Sequence, residues 1–316
     1  MNNQEFYHEP VLKKEIISLL VTDKKGIYLD CTLGGGGHFR AVAECLEPGA
    51  TMIGIDRDSD AIQWNLRNPL QTSSRVIIEQ SPFSEFDKVL ERHAISAVDG
   101  MLLDLGVSSW QIDNKDRGFS FMGDGELDMR MNRNSGISAA EFIASSSEAE
   151  LCTILDRYGE VQNAKRMART IKQCSHPIVT TFDLRNCLIK EYGPNLKYKV
   201  LAKVFQAIRI AVNDELGELQ RFLEKSVSFL KPSGRIAVMA YHSLEDRIVK
   251  EFFRAGELGC ICPPSQPVCT CKKVASLKRV TRKSLQADDA EIARNPRSRS
   301  VRVRVAEKLS NRNRYI

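Results

Sequence analysis

A run of four glycines, Gly34–Gly37, follows a short apolar segment that ends at Asp30. Two later apolar segments also end at aspartates, Asp56 and Asp104. Glycines let the backbone approach a bound molecule closely, and a helix that begins after such a loop presents its N-terminal N–H groups. A carboxylate at the end of the second segment can accept hydrogen bonds from both hydroxyls of a ribose. The pattern predicts a site for a cofactor that contains a nucleoside.

The spacing of the glycines and acids distinguishes between two classes of cofactor. Counted from Gly34, the G-x-G-x-x-G pattern of dinucleotide enzymes fails, because its last position is Phe39. Asp30 precedes the loop as in the acid-x-x-x-G-x-G pattern of class I methyltransferases, which favours S-adenosylmethionine over NAD. Two alternatives stay open: Asp30 could cap the turn that follows it, and Asp56 could be the N-cap of the next helix, although Asp58 fits that position better.

The elements that must position these residues alternate between strands and helices. Apolar segments bounded by glycine and aspartate, with helical patterns between them, are typical of βαβ units and a buried parallel sheet. The predicted strands are Ile27–Cys31, Thr51–Asp56, Arg75–Gln80, Gly100–Leu105, Arg235–Tyr241 and Ser300–Ala306. We therefore predict an α/β fold with a Rossmann-like sheet.

The strand pattern is interrupted after the fourth strand. Two capping boxes, beginning at Ser138 and Ser147, indicate helices in the interruption. We predict that an all-helical domain over residues 107–199 is inserted between two parts of the sheet domain, 1–106 and 200–316.

Composition limits the class of protein. The 316 residues are 42% hydrophobic and 27% charged, which is ordinary for a globular protein. No apolar run approaches the roughly 20 residues that cross a bilayer, and the first residues carry no apolar signal-peptide core. Nine cysteines, an odd number without an export signal, indicate a reducing compartment. We expect a cytoplasmic protein without a membrane partner.

The net charge of +6 is unevenly distributed. Lys272–Ile316 contains fourteen Lys and Arg and four acids, so this segment is +10 and the preceding residues sum to −4. A basic segment of this kind indicates a partner with phosphate groups. The alternative is a solvated tail that keeps the protein in solution.

Four of the nine cysteines, Cys260, Cys262, Cys269 and Cys271, lie within twelve residues. Four thiols in a reducing cell could bind zinc tetrahedrally. The C-x-C spacing is tighter than the usual C-x2-C, and six residues between the pairs make a short loop. The sequence therefore favours reduced thiols without a metal, with a zinc site as the alternative.

Several long motifs follow one another in an order that resembles a known family. They are HEPVL (8–12), LDCTLGGGGH (29–38), IDRD (55–58), LLDLGVSS (102–109), RGFSF..DGELDMRM (117–131), FQAIRIAVNDEL (205–216), HSLEDRIVK (242–250) and NPRSRSVRVRVAEK (295–308). Together they resemble the RsmH (MraW) family of bacterial 16S rRNA cytosine-N4 methyltransferases, which act on a decoding-centre cytidine. The resemblance covers nearly the whole chain.

The resemblance implies specific roles for residues and partners. It places S-adenosylmethionine contacts at Gly36, Gly37, His38, Asp56, Phe83, Asp104 and Gln111. We assign Asp104 as the catalytic acceptor for the amino N–H of cytosine; a role towards the cofactor alone is the alternative. There are two further alternatives: Phe83 could simply pack in the core, and His38 could have a structural role in the first turn of its helix. The implied substrate is 16S rRNA, within the small ribosomal subunit, with the helical insert facing the RNA.

Two departures from the family pattern affect expected contacts. Lys203 stands where the family usually has arginine, and Ala240-Tyr241 stands where Ser-Phe is common. Lys203 keeps the charge but not the planar fork of arginine. His242, Ser243 and Glu245 are expected at the same crevice, with Ser243 capping the helix that follows.

Three rival functions fit the sequence less well. An NAD oxidoreductase is disfavoured by the missing third glycine, and an RNA-binding module without activity is disfavoured by the intact glycine and aspartate positions. A DNA amino methyltransferase is disfavoured because no Asn/Asp-Pro-Pro-Tyr motif follows the fourth strand. The oligomeric state stays open, with a homodimer as one alternative.

Overall fold

The computed structural model describes residues 10–193, 196–263, 266 and 268–310. The chain divides into two compact units. One comprises Met1–Gly106 and Gly217–Ile316, and is called the sheet unit here; the other comprises Val107–Leu216, and is called the helical unit. His8 and Glu9 of the first motif lie outside the described residues.

Within the part of the chain that the structure describes, the sheet unit has seven strands. They are β1 Ile27–Asp30, β2 Thr51–Asp56, β3 Arg75–Gln80, β4 Val98–Asp104, β5 Leu230–Ala240, β6 Leu277–Arg279 and β7 Arg302–Lys308. Their order is β3-β2-β1-β4-β5-β7-β6, in which the first five are parallel and β7 is antiparallel to both neighbours. The predicted α/β fold with a largely parallel sheet is confirmed.

This strand order creates a crevice at the carboxyl edge of the sheet. After β1 the chain builds β2 and β3 on one side and then crosses to build β4 and β5 on the other. Connections that leave neighbouring strands in opposite directions open a cleft at their carboxyl ends, where doubly wound sheets bind ligands. Asp30 ends β1 and Asp104 ends β4. Both aspartates therefore lie at this switch point.

Helices cover both faces of the sheet. In the first part they are α1 Lys13–Leu20, α2 Gly37–Ala43, α3 Ser59–Arg67 and α4 Phe86–Arg92, the last preceded by a 3₁₀ turn, Phe83–Glu85. Successive strand residues point to opposite faces, so Leu29 packs in one hydrophobic cluster with Phe86, and Tyr28 in another with Phe39. Burial on both faces explains the continuous apolar runs that reveal the strands in the sequence.

The helical unit contains no strand among its described residues, only a single β-bridge between Glu126 and Thr180. Its helices are α5 Ser109–Asp113, α6 Ala139–Ser145, α7 Glu148–Arg157, α8 Ala164–Lys172, α9 Thr181–Tyr192 and α10 Tyr198–Asn213, with a 3₁₀ turn at Lys115–Arg117. Both capping boxes expected at Ser138 and Ser147 are present.

The second boundary of this unit differs from the one expected. The sequence predicts it at residues 199/200, whereas the compact unit extends to Leu216. Helix α10 carries Leu201, Val204 and Phe205 into the same hydrophobic cluster as Leu151 of α7. Its amphipathic pattern gives its helical character but not its packing partner, so the sequence placed α10 with the wrong unit.

The second part of the sheet unit adds three helices, which are α11 Glu215–Ser226, α12 Ser243–Glu257 and α13 Asp289–Arg294. The expectation that Ser243 caps α12 is wrong. The N-cap is His242, and Glu245 closes the capping box, its carboxylate accepting the backbone N–H groups of Tyr241 and His242 at 2.9 and 3.3 Å. None of the described helices is both long and apolar enough to cross a membrane.

Candidate active site

The glycine loop between β1 and α2 has a backbone shape that requires glycine. Gly34 and Gly36 have φ values of +47° and +80°, in the left-handed region that side chains disfavour. A Cβ at Gly36 would lie 2.2 Å from Oδ1 of Asn65. The Nδ2 group of Asn65, on α3, donates to the carbonyl oxygen of Gly34 at 2.8 Å. The loop is therefore held in one shape, with open space around Gly34 rather than a side chain.

Asp56 ends β2 beside this loop. Its Oδ2 accepts the N–H of Gly34 at 2.8 Å and its Oδ1 accepts the N–H of Asp58 at 2.8 Å. The N-cap of α3 is Asp58, which accepts the N–H of Asp60, so the alternative role of Asp56 as N-cap is wrong. Each carboxylate oxygen can accept more than one hydrogen bond, which leaves both able to accept a hydroxyl. Burial raises the pKa of Asp56 to about 6.

Asp30 is buried at the base of the loop. Its Oδ1 accepts the N–H of Thr32 at 3.1 Å, so this side chain does cap the turn that follows it. Burial raises the pKa of Asp30 to about 7; the Thr32 N–H opposes this shift, and the charges of Asp104 and Asp56 add to it. Thr32 also joins the two edges of the crevice, because its Oγ1 accepts the N–H of Asp104 at 2.6 Å.

Asp104 presents one occupied and one open carboxylate oxygen. Its Oδ1 accepts the hydroxyl of Tyr241 at 2.8 Å. Its Oδ2 lies 3.7 Å from Nε2 of His38, beyond hydrogen-bond distance, and accepts no hydrogen bond from the described residues. Burial raises the pKa of this carboxyl, while His38 and the Tyr241 hydroxyl oppose the shift. The open oxygen can therefore accept a donor from a bound molecule.

His38 is a buried residue in the first turn of α2. Its Nε2 has no hydrogen-bond partner in the described part of the chain. Burial lowers the pKa of this imidazole, although the charge of Asp104 opposes the shift. The ring is therefore expected to be neutral at pH 7, and either to donate to or to accept from a ligand.

The remaining two predicted cofactor residues have structural contacts of their own. The ring of Phe83 meets that of Phe222 edge-on, with 5.9 Å between centroids, so packing against the core is part of its role. Gln111 belongs to the helical unit, where it closes a capping box with Ser108. Its Oε1 accepts the Ser108 N–H at 3.0 Å. The structure thus brings together Gly36, Gly37, His38, Asp56 and Asp104, with Phe83 after the neighbouring strand β3.

Two residues of this site were not foreseen in these roles. The sequence identifies Tyr241 only as a departure from the family pattern, and it gives no signal for Asn65. Tyr241 immediately follows β5, which pairs with β4, so the carboxyl ends of the two strands bring it to Asp104. The predicted strand that ends at Tyr241 places this residue at a strand end. Its contact with Asp104 can be predicted only when the strand next to β5 is known.

The basic C-terminal segment is only partly available to a partner. Arg304 is buried and forms a bidentate pair with Asp246 at 2.7 and 3.0 Å, and Arg279 pairs with Glu257. Other cations of the segment are exposed: Lys272, Lys278, Arg282, Lys283, Arg294 and Arg299. A charged surface is therefore present, although smaller than the count of residues indicates.

Comparison with known proteins gives a consistent result. Residues 5–309 match the model of the MraW methylase family. Proteins named ribosomal RNA small subunit methyltransferase H are similar over nearly their whole length. That of Citrifermentans bemidjiense is 45% identical, covering 97% of this chain and 100% of the relative. That of Caldicellulosiruptor saccharolyticus is 45% identical (96% and 100%), and that of Syntrophotalea carbinolica is 40% identical (98% and 100%).

The family match extends across both units, and the glycine loop and aspartates lie where the sheet provides a ligand crevice. The chain therefore belongs to the MraW methylase family of S-adenosylmethionine-dependent methyltransferases.

Proposed function

We propose that this protein transfers a methyl group from S-adenosylmethionine to the exocyclic N4 of a decoding-centre cytidine in 16S rRNA. The observation that carries the proposal is the open Oδ2 of Asp104 at the carboxyl end of β4, next to the glycine loop. Membership of a methylase family and relatives named as small-subunit rRNA methyltransferases support the reaction and the class of substrate.

The residues at the crevice fit this cofactor. When bound, S-adenosylmethionine supplies an electrophilic methyl group on a sulfonium centre. Asp56 would accept the ribose hydroxyls with oxygens that already hold two backbone N–H groups in place. Gly36 and Gly37 would let the cofactor approach the backbone of the loop. A side chain at Gly36 is excluded in any case, because its Cβ would clash with Asn65. Phe83 would offer ring edge and face to adenine, and Gln111 is proposed as a further contact.

Asp104 would act on the substrate amine. The lone pair of cytosine N4 is delocalised into the ring, so the amine is a weak nucleophile that has to be held in line with the methyl group. An N–H···O bond to Oδ2 would orient the amine and stabilise the positive charge that develops on nitrogen. The Tyr241 hydroxyl fixes Oδ1 and thereby the direction of Oδ2. Because its pKa is raised, the same carboxylate is also suited to accept the proton that nitrogen loses.

The target cytidine has to be unpaired or flipped out, because N4 takes part in Watson–Crick pairing. The exposed cations of the C-terminal segment would contact phosphates, as would the helical unit, which we propose faces the RNA. Such contacts make binding fall steeply with salt concentration.

The direct experiment is methyl transfer from labelled S-adenosylmethionine to small ribosomal subunits and to naked 16S rRNA, followed by nucleoside analysis. Subunits from cells lacking this methylation are the acceptor, and subunits that already carry it are the control. We expect label in N4-methylcytidine with the unmodified acceptor only. Label in another nucleoside would refute the proposed site of methylation, and cofactor binding without transfer to either acceptor would refute the substrate class.

A further inference from the structure

A second cluster of reactive side chains lies outside the methyl-transfer site, in the segment between α12 and β6. We call it the thiol cluster; it consists of Cys260, Cys262, Cys269 and Cys271. All four sulfur atoms lie within 4.8 Å of one another. The distances between Sγ atoms are 3.5 Å for Cys260 and Cys269, 3.9 Å for Cys262 and Cys269, 3.6 Å for Cys269 and Cys271, and 3.7 Å for Cys271 and Cys260.

These distances exclude disulfides and match one particular arrangement. A disulfide has its sulfur atoms about 2.05 Å apart. Four thiolates at about 2.3 Å around one tetrahedral zinc ion have sulfur atoms about 3.8 Å apart. The four measured separations lie on both sides of that value. We propose that the thiol cluster binds one Zn²⁺ ion as a structural site.

The geometry removes the two objections that the sequence raised. The tight C-x-C spacing is compatible with chelation, since Sγ of Cys269 and Sγ of Cys271 are 3.6 Å apart, an edge of the tetrahedron. The short interval between the pairs is also sufficient, because Sγ of Cys262 reaches Cys269 at 3.9 Å. Sulfur atoms of both pairs therefore already lie within 4.8 Å of one another, as a shared ion requires.

The surroundings of the thiol cluster suit thiolates. The N–H of Ile261 donates to Sγ of Cys271 and the N–H of Cys262 donates to Sγ of Cys260, both at 3.4 Å. Hydrogen bonds of this kind orient and stabilise metal-bound sulfur. A zinc ion with four thiolates carries a charge of −2, and Lys272 and Lys273 follow directly in the chain.

Apolar packing does not explain why the thiols converge. The cysteines are exposed or half-buried, and Ile261 and Val268 are 61% and 70% exposed. The described part of this segment contributes no residue to the hydrophobic clusters before Leu277. A hydrogen bond from the N–H of Ser276 to the carbonyl oxygen of Gly256, at 2.9 Å, closes the base of the loop. Ordering the rest of the loop costs backbone entropy, which a bound ion would offset.

Four protein ligands leave no open position, so the ion would hold the loop and take no part in methyl transfer. The proposed zinc site is therefore independent of the proposed substrate.

The zinc site is tested by the metal content of full-length protein that is purified under reducing conditions without chelator, then exposed to zinc and desalted. We expect about one zinc ion per chain, and less than about 0.2 in the double variant Cys260→Ser/Cys271→Ser. Cys152→Ser, a half-buried thiol of α7, is the matched control and should retain the ion.

Two further measurements separate loss of the site from loss of the fold. The double variant should bind S-adenosylmethionine as the wild type does. The rate of trypsin cleavage after Lys272 and Lys273 should rise about tenfold in this variant, and by the same factor in wild-type protein treated with a zinc chelator. Cobalt(II) added to the metal-free protein should give the visible absorption of tetrahedral thiolate coordination. Wild-type protein that stays below about 0.2 zinc per chain after exposure to zinc, or a double variant that keeps its zinc, would overturn the proposal. Iron in place of zinc would also overturn it.

Discussion

The hydroxyl of Tyr241 is the most selective place to perturb Asp104 without touching the carboxylate. Tyr241→Phe keeps the half-buried ring and removes one oxygen, which lies 2.8 Å from Oδ1 of Asp104. Phenylalanine is common at this position in the family that the sequence resembles, so the ring is expected to fit without the hydroxyl. The variant isolates one hydrogen bond.

The magnitude follows from the kind of bond. A hydrogen bond to a charged group contributes about 1.5–3 kcal/mol, and here it favours the ionised carboxylate. Burial already raises the pKa of Asp104, and the Tyr241 hydroxyl opposes that shift. Without the hydroxyl the pKa of Asp104 rises further, so protonation inactivates the enzyme at a higher pH. On the acid side of the profile we expect the single-turnover rate constant to fall about tenfold, equivalent to about 1.4 kcal/mol, with a smaller loss at high pH.

The assay is single-turnover methyl transfer as a function of pH, with cofactor affinity measured alongside. Tyr28→Phe is the matched control, because its hydroxyl accepts the N–H groups of Thr22 and Asp23 at 3.1 and 3.0 Å and makes no contact with Asp104. That control should lower stability and leave the pH profile unchanged. If Tyr241→Phe leaves the acid limb where it is in the wild type, Asp104 does not control the rate through its ionised form.

Two other perturbations follow from the sheet unit. Since the pKa of Asp56 is about 6, the affinity for S-adenosylmethionine should be full above pH 6 and should weaken up to tenfold per pH unit below it. Asp56→Asn should bind the cofactor about 10–100-fold more weakly, and its affinity should not depend on pH in this way. Calorimetry across pH 5–8 measures both, and a variant that keeps the wild-type slope would contradict the role of Asp56. Among the described residues, Arg304→Ala leaves the buried Asp246 paired with Arg302 alone, at 3.7 Å. The free energy of unfolding should fall by about 3 kcal/mol, against less than about 1 kcal/mol for the exposed Arg302→Ala. Equal losses of the two variants in denaturant titrations would contradict this.

The parts of the fold that the sequence predicts well are those fixed by local patterns. Strands β2 and β3 have the expected bounds, because their apolar runs end at turn residues. The capping boxes at Ser138 and Ser147 start helices because their hydrogen bonds join residues three apart. By contrast, β6 has three residues, too few to show periodicity, and was missed. The cap of α12 was misplaced by one residue because serine is the commoner N-cap, whereas His242 occupies it here.

The residues of the candidate site show the same difference between local motifs and contacts that depend on strand order. The glycine loop and the aspartates at strand ends are visible in the sequence because each is a short motif next to an apolar run. The contact between Tyr241 and Asp104 joins residues 137 positions apart, and it exists because β4 and β5 are neighbours in the sheet. Asp246 and Arg304 are paired for a similar reason, across 58 positions. Strand order, which short motifs do not encode, decides such contacts.

The open oxygen of Asp104 is proposed to accept the amino N–H of the substrate. Asp104→Asn probes this role, because asparagine keeps the shape and can still accept the Tyr241 hydroxyl, while Oδ2 is replaced by a donor. With small ribosomal subunits and saturating S-adenosylmethionine, we expect the single-turnover rate to fall about 10²–10³-fold while the Kd for the cofactor changes less than about threefold. A wild-type rate with normal cofactor affinity would show that Asp104 is not the acceptor.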